Sequence, residues 1–188
     1  RRFVRIVLPV APWVFGCAGA AYALLPQLLS KSASEAPIAF SGLMTVITLG
    51  CGVGVQMLGK VIDTSRSARA SAVAMGVITV GTILGAVASS TRSLPLGIAG
   101  AAVMGAGYGL ALVAGLSEVQ RIARPEELAG LTAVYYSVSY TGFFIPMAFS
   151  ALAQLLGFTT LFLIGAVLAL CCLVNVVLGW RAHLPGPV

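Results

Sequence analysis

Six long stretches of this chain carry no acidic or basic residue. They run Ile6–Leu29, Ile38–Gly59, Ala70–Ser90, Pro95–Ser117, Leu128–Leu152 and Phe158–Trp180. A helix needs about 20 apolar residues to cross the roughly 30 Å of bilayer hydrocarbon, and each stretch is long enough. Lipid offers no hydrogen bonds, so a spanning segment must satisfy its backbone internally, as a helix or in a closed barrel. A barrel would need segments of about ten residues with alternating polarity, and these runs are continuously apolar. The expected fold class is therefore an all-α membrane protein with six transmembrane helices. Composition agrees: 59% of the 188 residues are hydrophobic and 9% charged, whereas soluble domains are about 25% charged.

The gaps between runs are short and polar: Ser30–Pro37, Lys60–Arg69, Thr91–Leu94, Glu118–Glu127 and Ala153–Gly157. Short connections make sequence neighbours antiparallel. One side then receives Arg1, Arg2, Arg5, Lys60, Arg66, Arg69, Arg121, Arg124 and Arg181, and the other only Lys31 and Arg92. Basic residues mark the cytoplasmic face, so both termini are expected there. The net charge of +6 reads as membrane topology, and no nucleic-acid partner is expected. The first run is too long for a cleaved signal peptide and is followed by further spans. The chain opens on Arg1 without Met and is expected to be a fragment of a longer protein.

Packing signals lie inside the runs. Gly50/Gly54, Gly81/Gly85 and Gly105/Gly109 are small-residue pairs four apart, which let membrane helices approach closely. Pro9, Pro12 and Pro26 fall near the ends of the first run, and Pro146 inside the fifth is expected to kink it. The four cysteines (Cys17, Cys51, Cys171, Cys172) have no metal or disulfide spacing. They read as small packing residues.

Enzyme chemistry finds no foothold. The sole histidine, His183, is in the tail, so no Ser–His pair can form within the bundle. There is no phosphate-binding glycine loop and no metal-ligand spacing, and no metal or cofactor is expected. The acids Glu35, Asp63, Glu118, Glu126 and Glu127 all lie at run ends or in gaps. A charge at mid-bilayer costs about 2.5–3.5 kcal/mol and usually marks an ion path. No proton carrier is therefore expected within these spans.

Gly59-Lys60-Val61-Ile62-Asp63-Thr64-Ser65-Arg66, continuing to Arg69, resembles the loop signature of the major facilitator superfamily: Gly, three residues, Asp, then a basic cluster. Gly59 and Asp63 match; Thr64 replaces a basic residue, and Arg66 stands where a second Gly is usual. Gly105-Ala-Gly-Tyr-Gly-Leu through Glu118-Val-Gln-Arg121, then Thr132 to Pro146, is similar to helices ten and eleven of bacterial members. The resemblance covers the whole chain as helices seven to twelve. It implies two inverted three-helix repeats forming half of a major facilitator fold, since each six-helix half of such a carrier is built from a repeat pair of this kind. Residues 1–5 would end a basic cytoplasmic linker, 6–181 would form the half-transporter domain, and 182–188 a cytoplasmic tail.

The function this implies is secondary transport of a small organic solute by alternating access, with efflux across a bacterial inner (plasma) membrane as the expected setting. The implied partners are the bilayer, an N-terminal six-helix half and a small-molecule substrate. The cavity candidates are Tyr22, Gln27, Tyr108, Tyr136, Tyr140 and Phe143. Gly59, Asp63, Arg66, Arg69, Glu118 and Arg121 are the candidates for a cytoplasmic gate. Glu118 and Arg121 read either as an ordinary surface pair worth about 0.2–0.5 kcal/mol or as a relay with Asp63. Asn175 reads as a bond between helices. Two alternatives stand beside the transporter: a stand-alone six-helix protein with a structural or assembly role, and a half-transporter that self-associates.

At 100° per residue the fifth run divides into three strips. Tyr136, Tyr140, Phe143 and Met147 are expected to face a cavity. Tyr135, Ser139, Gly142 and Pro146 should meet a neighbouring helix. Val134, Val138, Thr141, Ile145 and Leu152 should face outward.

Overall fold

The computed structural model describes residues 2–32, 36–62 and 68–179, with the side chains of 59–61 left out. Among them are six helices long and apolar enough to cross a membrane: α1 (Phe3–Leu29), α2 (Pro37–Ile62), α3 (Arg69–Thr91), α4 (Leu94–Ile122), α5 (Leu128–Leu156) and α6 (Phe158–Gly179). No strand occurs among the described residues. The chain is a membrane-embedded helical protein, and the helices exceed the apolar runs by a few residues at several ends. Residue 2 is already helical, so the polar start expected at 1–5 continues directly into α1. The fourth helix carries Glu118 and Arg121 within its last turns.

Proline shapes α1 and α5. A proline has no N–H to donate and crowds the carbonyl four residues back. In α1 the wider π turns Phe3–Val7 and Ala20–Leu24 come just before Pro9 and Pro26. The Arg5 carbonyl lies four residues before Pro9, and Asn175 Nδ2 of α6 donates to it at 3.1 Å. The interhelical bond expected of Asn175 is present and compensates for a proline. In α5 a 3-10 turn at Thr141–Phe143 interrupts the helix just before Pro146.

The connections are tight. Arg92 adopts the left-handed conformation (φ 54°) between α3 and α4, and its Nη1 donates to Leu28 O at 3.0 Å. That carbonyl lies in the last turn of α1, where helical acceptors run out of partners. Between α5 and α6 the turn needs a positive φ at Gly157 (72°), a conformation open to glycine at little cost.

α1 and α4 form the middle of the bundle. Across them Cys17 Sγ donates to Met104 O at 3.6 Å. α2 packs on α4, where a side chain at Gly105 would run into the Thr48 carbonyl and one at Gly109 into that of Gly52. α5 packs on α1, where a side chain at Gly142 would strike the Pro12 carbonyl. α3 lies against α4 and α6; Gly85 makes room for Phe162, which meets Phe149 edge-on at 5.8 Å. Two of the three expected glycine pairs, Gly81/Gly85 and Gly105/Gly109, do meet neighbouring helices. Gly50 and Gly54 face open space, and Gly52 between them makes the contact. A one-residue change turns a helix face by 100°, so spacing alone could not choose between them.

Candidate functional site

Two groupings of candidate side chains emerge, one at an end of the bundle and one midway along α1 and α5. The end site centres on Glu118, which is 1% exposed. Its carboxylate is gripped by Arg2, with Nε to Oε2 at 2.8 Å and Nη2 to Oε1 at 3.2 Å. Arg121 Nη1 also donates to Oε1. Both arginines make further interactions. The two-pronged guanidinium–carboxylate geometry is the strong form of ion pair, and a buried carboxylate is tolerable only when so paired. Glu118 and Arg121 are thus no ordinary surface pair. The start of α1 is tied to the end of α4 across 116 residues of sequence.

Arg2 is absent from the sequence candidates because a basic residue before an apolar run reads as a topology signal. Nothing in its neighbourhood names a partner so distant. Of the other gate candidates, Arg69 opens α3 and is exposed, and Gly59 lies within α2. Asp63 and Arg66 lie outside the described residues, and with them the expected approach of Asp63 to Arg121.

The second grouping is aromatic. Phe15 of α1 stacks on Tyr140 (ring centroids 5.1 Å, planes 8° apart) and on Phe143 (4.9 Å, 16°). Tyr108 of α4 approaches Phe15 at 6.0 Å, and Tyr136 approaches Tyr140 at 6.4 Å. Aromatic pairs attract at centroid separations of about 4.5–7 Å, and all four pairs fall in that range. The cluster is open: Tyr140 remains 54% exposed and Phe143 44%. Four of the six cavity candidates therefore come together. Tyr22 sits half-buried further along α1, and Gln27 is exposed near that helix's end. Phe15 joins the cluster without having been singled out, since a phenylalanine among apolar neighbours carries no polar signal.

The neighbouring Tyr135 behaves oppositely. It is fully buried, its hydroxyl is within hydrogen-bond distance of the Ala111 (3.2 Å) and Leu112 (3.1 Å) carbonyls, and its ring fills the space over Gly115. Ser139 is buried, Gly142 meets α1, and Pro146 meets Gly19. The small-residue strip thus packs as expected.

The aliphatic strip holds only in part. Val134 and Leu152 are exposed, but Val138 is half-buried against the core and Ile145 reaches Gly16. Val138 lies about 60° from Tyr135 on the wheel, at the edge of the buried strip. The 3-10 turn winds three residues at about 120° each instead of 100°. Positions beyond it, Ile145 included, are rotated by about 60° from the straight-helix expectation.

Comparison with protein-family models, curated proteins and solved structures finds no match to this chain.

Proposed function

We propose that this chain is the C-terminal half of a major-facilitator-type secondary transporter, moving a small organic solute by alternating access. The observation that carries the reading is the half-open aromatic face built from α1, α4 and α5. Phe15, Tyr108, Tyr136, Tyr140 and Phe143 offer ring surfaces and phenol hydroxyls without a charged group among them. Apolar walls with a few placed polar groups are the usual lining of a small-molecule site. A neutral or amphipathic solute suits that face.

Two features of packing support the same reading. α2 lies on α4 and α5 lies on α1, while α3 meets α6. Exchanging the first three helices with the last three maps these three contacts onto themselves, as two inverted repeats would, although the extensive α3–α4 contact has only a small counterpart between α6 and α1. In addition, only 11% of the apolar stretch of α5 and 17% of that of α2 is buried, against 61% for α1 and for α3. In the proposed carrier those two helices meet the N-terminal half, and the aromatic face looks into the cavity between the halves. The Glu118 cluster then lies at the cytoplasmic end, with both termini inside, in a bacterial inner membrane. There it ties α1 to α4 as part of a cytoplasmic gate.

The test is solute binding and flux by the full-length protein in proteoliposomes. A panel of neutral and amphipathic compounds should yield a ligand that protects a cysteine placed at Tyr136 from alkylation, and Tyr140→Phe should shift its affinity. A protein that binds and moves no such compound, with Tyr136 labelled equally throughout, would leave the structural or assembly role as the better account. Orientation is checked by cysteine labelling: positions near Ser34 and Arg92 should react from outside, and those near Ser67 and Arg124 should not.

A further inference from the structure

An open groove of about 560 Å³ runs between α3 and α4 on the outside of the bundle. Val73, Gly76, Val77 and Val80 form one wall, and Ala102, Val103 and Ala106 the other. The lining is almost wholly apolar. The groove exists because no long side chain fills it: Gly76 has nothing within contact distance of where a side chain would begin, and the rest of the lining is valine and alanine. Neither helix fills the space, and the aromatic face on α1, α4 and α5 uses different residues.

An apolar groove in a bilayer meets hydrocarbon from any lipid, so shape alone selects nothing. The charge one turn beyond its lining does. Arg69 stands four, seven, eight and eleven residues before Val73, Gly76, Val77 and Val80, which places it on the same helix stripe. It is the first residue of α3 and is exposed. Gly81 packs on Met104 and Gly107 on Ile78. This antiparallel register brings Arg69 level with the Leu116–Ser117 turn of α4, close to that helix's end.

The distance along the helix from Arg69 to Val80 is about 16 Å at 1.5 Å per residue. That is half of the roughly 30 Å hydrocarbon core. The groove therefore runs from headgroup depth to the bilayer midplane, the depth one acyl chain occupies, with a guanidinium where a lipid phosphate sits. Arginine donates to phosphate in a two-pronged fashion.

We infer that this groove is a binding site for one anionic phospholipid of the leaflet on the Arg69 side, with an acyl chain along Val73–Val80 and the headgroup phosphate on Arg69. The chain is held by contact with the valine and alanine walls, where close packing rather than water exclusion supplies the attraction. The anionic headgroup is selected by Arg69, because a basic residue near a membrane surface favours an anionic lipid by about fivefold. The site requires membrane embedding and this helix pair, and it is independent of whether the protein transports a solute.

The experiment places the full-length protein in vesicles of equal parts phosphatidylglycerol and phosphatidylcholine, extracts it gently and identifies retained lipid by native mass spectrometry. Phosphatidylglycerol should be retained about fivefold over phosphatidylcholine. Arg69→Ala should bring that ratio to near one, and Arg69→Lys should keep most of it. Ala106→Phe, which fills the groove, should remove the tightly held lipid altogether, with Gly76→Leu as the second variant if the first does not fold. A photo-crosslinking side chain at Val77 should capture lipid. Equal retention of the two lipids, an unchanged ratio in Arg69→Ala, retention unaffected by groove filling, or capture of protein in place of lipid at Val77 would each overturn the inference.

Discussion

The Glu118 cluster and the aromatic face are built by opposite means. At Glu118 a charge has been withdrawn from solvent, and two guanidiniums were brought from α1 and α4 to hold it. Around Phe15 four further uncharged rings gather, and the two stacked on it, Tyr140 and Phe143, stay about half exposed. The first grouping stabilises only while complete, because a lone buried charge is costly. The second tolerates loss of a ring or hydroxyl, since its exposed groups satisfy little within the chain. A closed cluster of this kind suits holding helices together; an open one suits meeting something else.

The largest contrast should appear when the carboxylate is removed. Glu118→Ala leaves Arg2 and Arg121 facing each other without their shared anion, and should cost about 3–5 kcal/mol. Thermal unfolding of the purified protein in detergent would read this, and a loss below about 1 kcal/mol would erase the distinction between the two sites. Next in size is Gly142→Val. Its side chain meets the backbone carbonyl of Pro12, which cannot move aside alone, and overpacking of this kind costs about 1–3 kcal/mol. The same assay should show α5 loosening from α1 while the Glu118 cluster remains intact.

Smaller effects separate adjacent tyrosines. Tyr135→Phe removes a buried hydroxyl near two α4 carbonyls and should cost about 0.5–1.5 kcal/mol. Tyr140→Phe should alter stability by less than about 0.5 kcal/mol, as expected for an exposed group, while shifting solute affinity. Equal stability losses for the two would place Tyr140 among the structural residues and weaken the cavity reading.

The number of the helices, and their extent to within a few residues, were legible in the residues themselves. Helix existence in lipid follows from run length and the absence of charge, both local properties, and all six runs are helical over their described residues. The packed strip of α5 was legible for a related reason: Tyr135, Ser139, Gly142 and Pro146 recur at helical spacing, with small residues where another backbone comes near. Three of the aromatic candidates, Tyr136, Tyr140 and Phe143, were legible because they share one strip of the fifth run, and Tyr108 is the lone tyrosine of the fourth.

Only the tertiary structure decided which side chains meet. Arg2 and Glu118 stand 116 positions apart, and their pairing depends on how α1 and α4 sit beside one another. Phe15 looks like any other apolar residue until Tyr140 and Phe143 are laid against it. Gly52 rather than Gly50 or Gly54 contacts α4 because of the rotation of α2, and Ile145 turns inward because a 3-10 turn resets the wheel. Helix formation is set residue by residue through backbone hydrogen bonding. Helix rotation and register are settled by the sum of many weak side-chain contacts across different helices, and those contacts exist only once the bundle has formed.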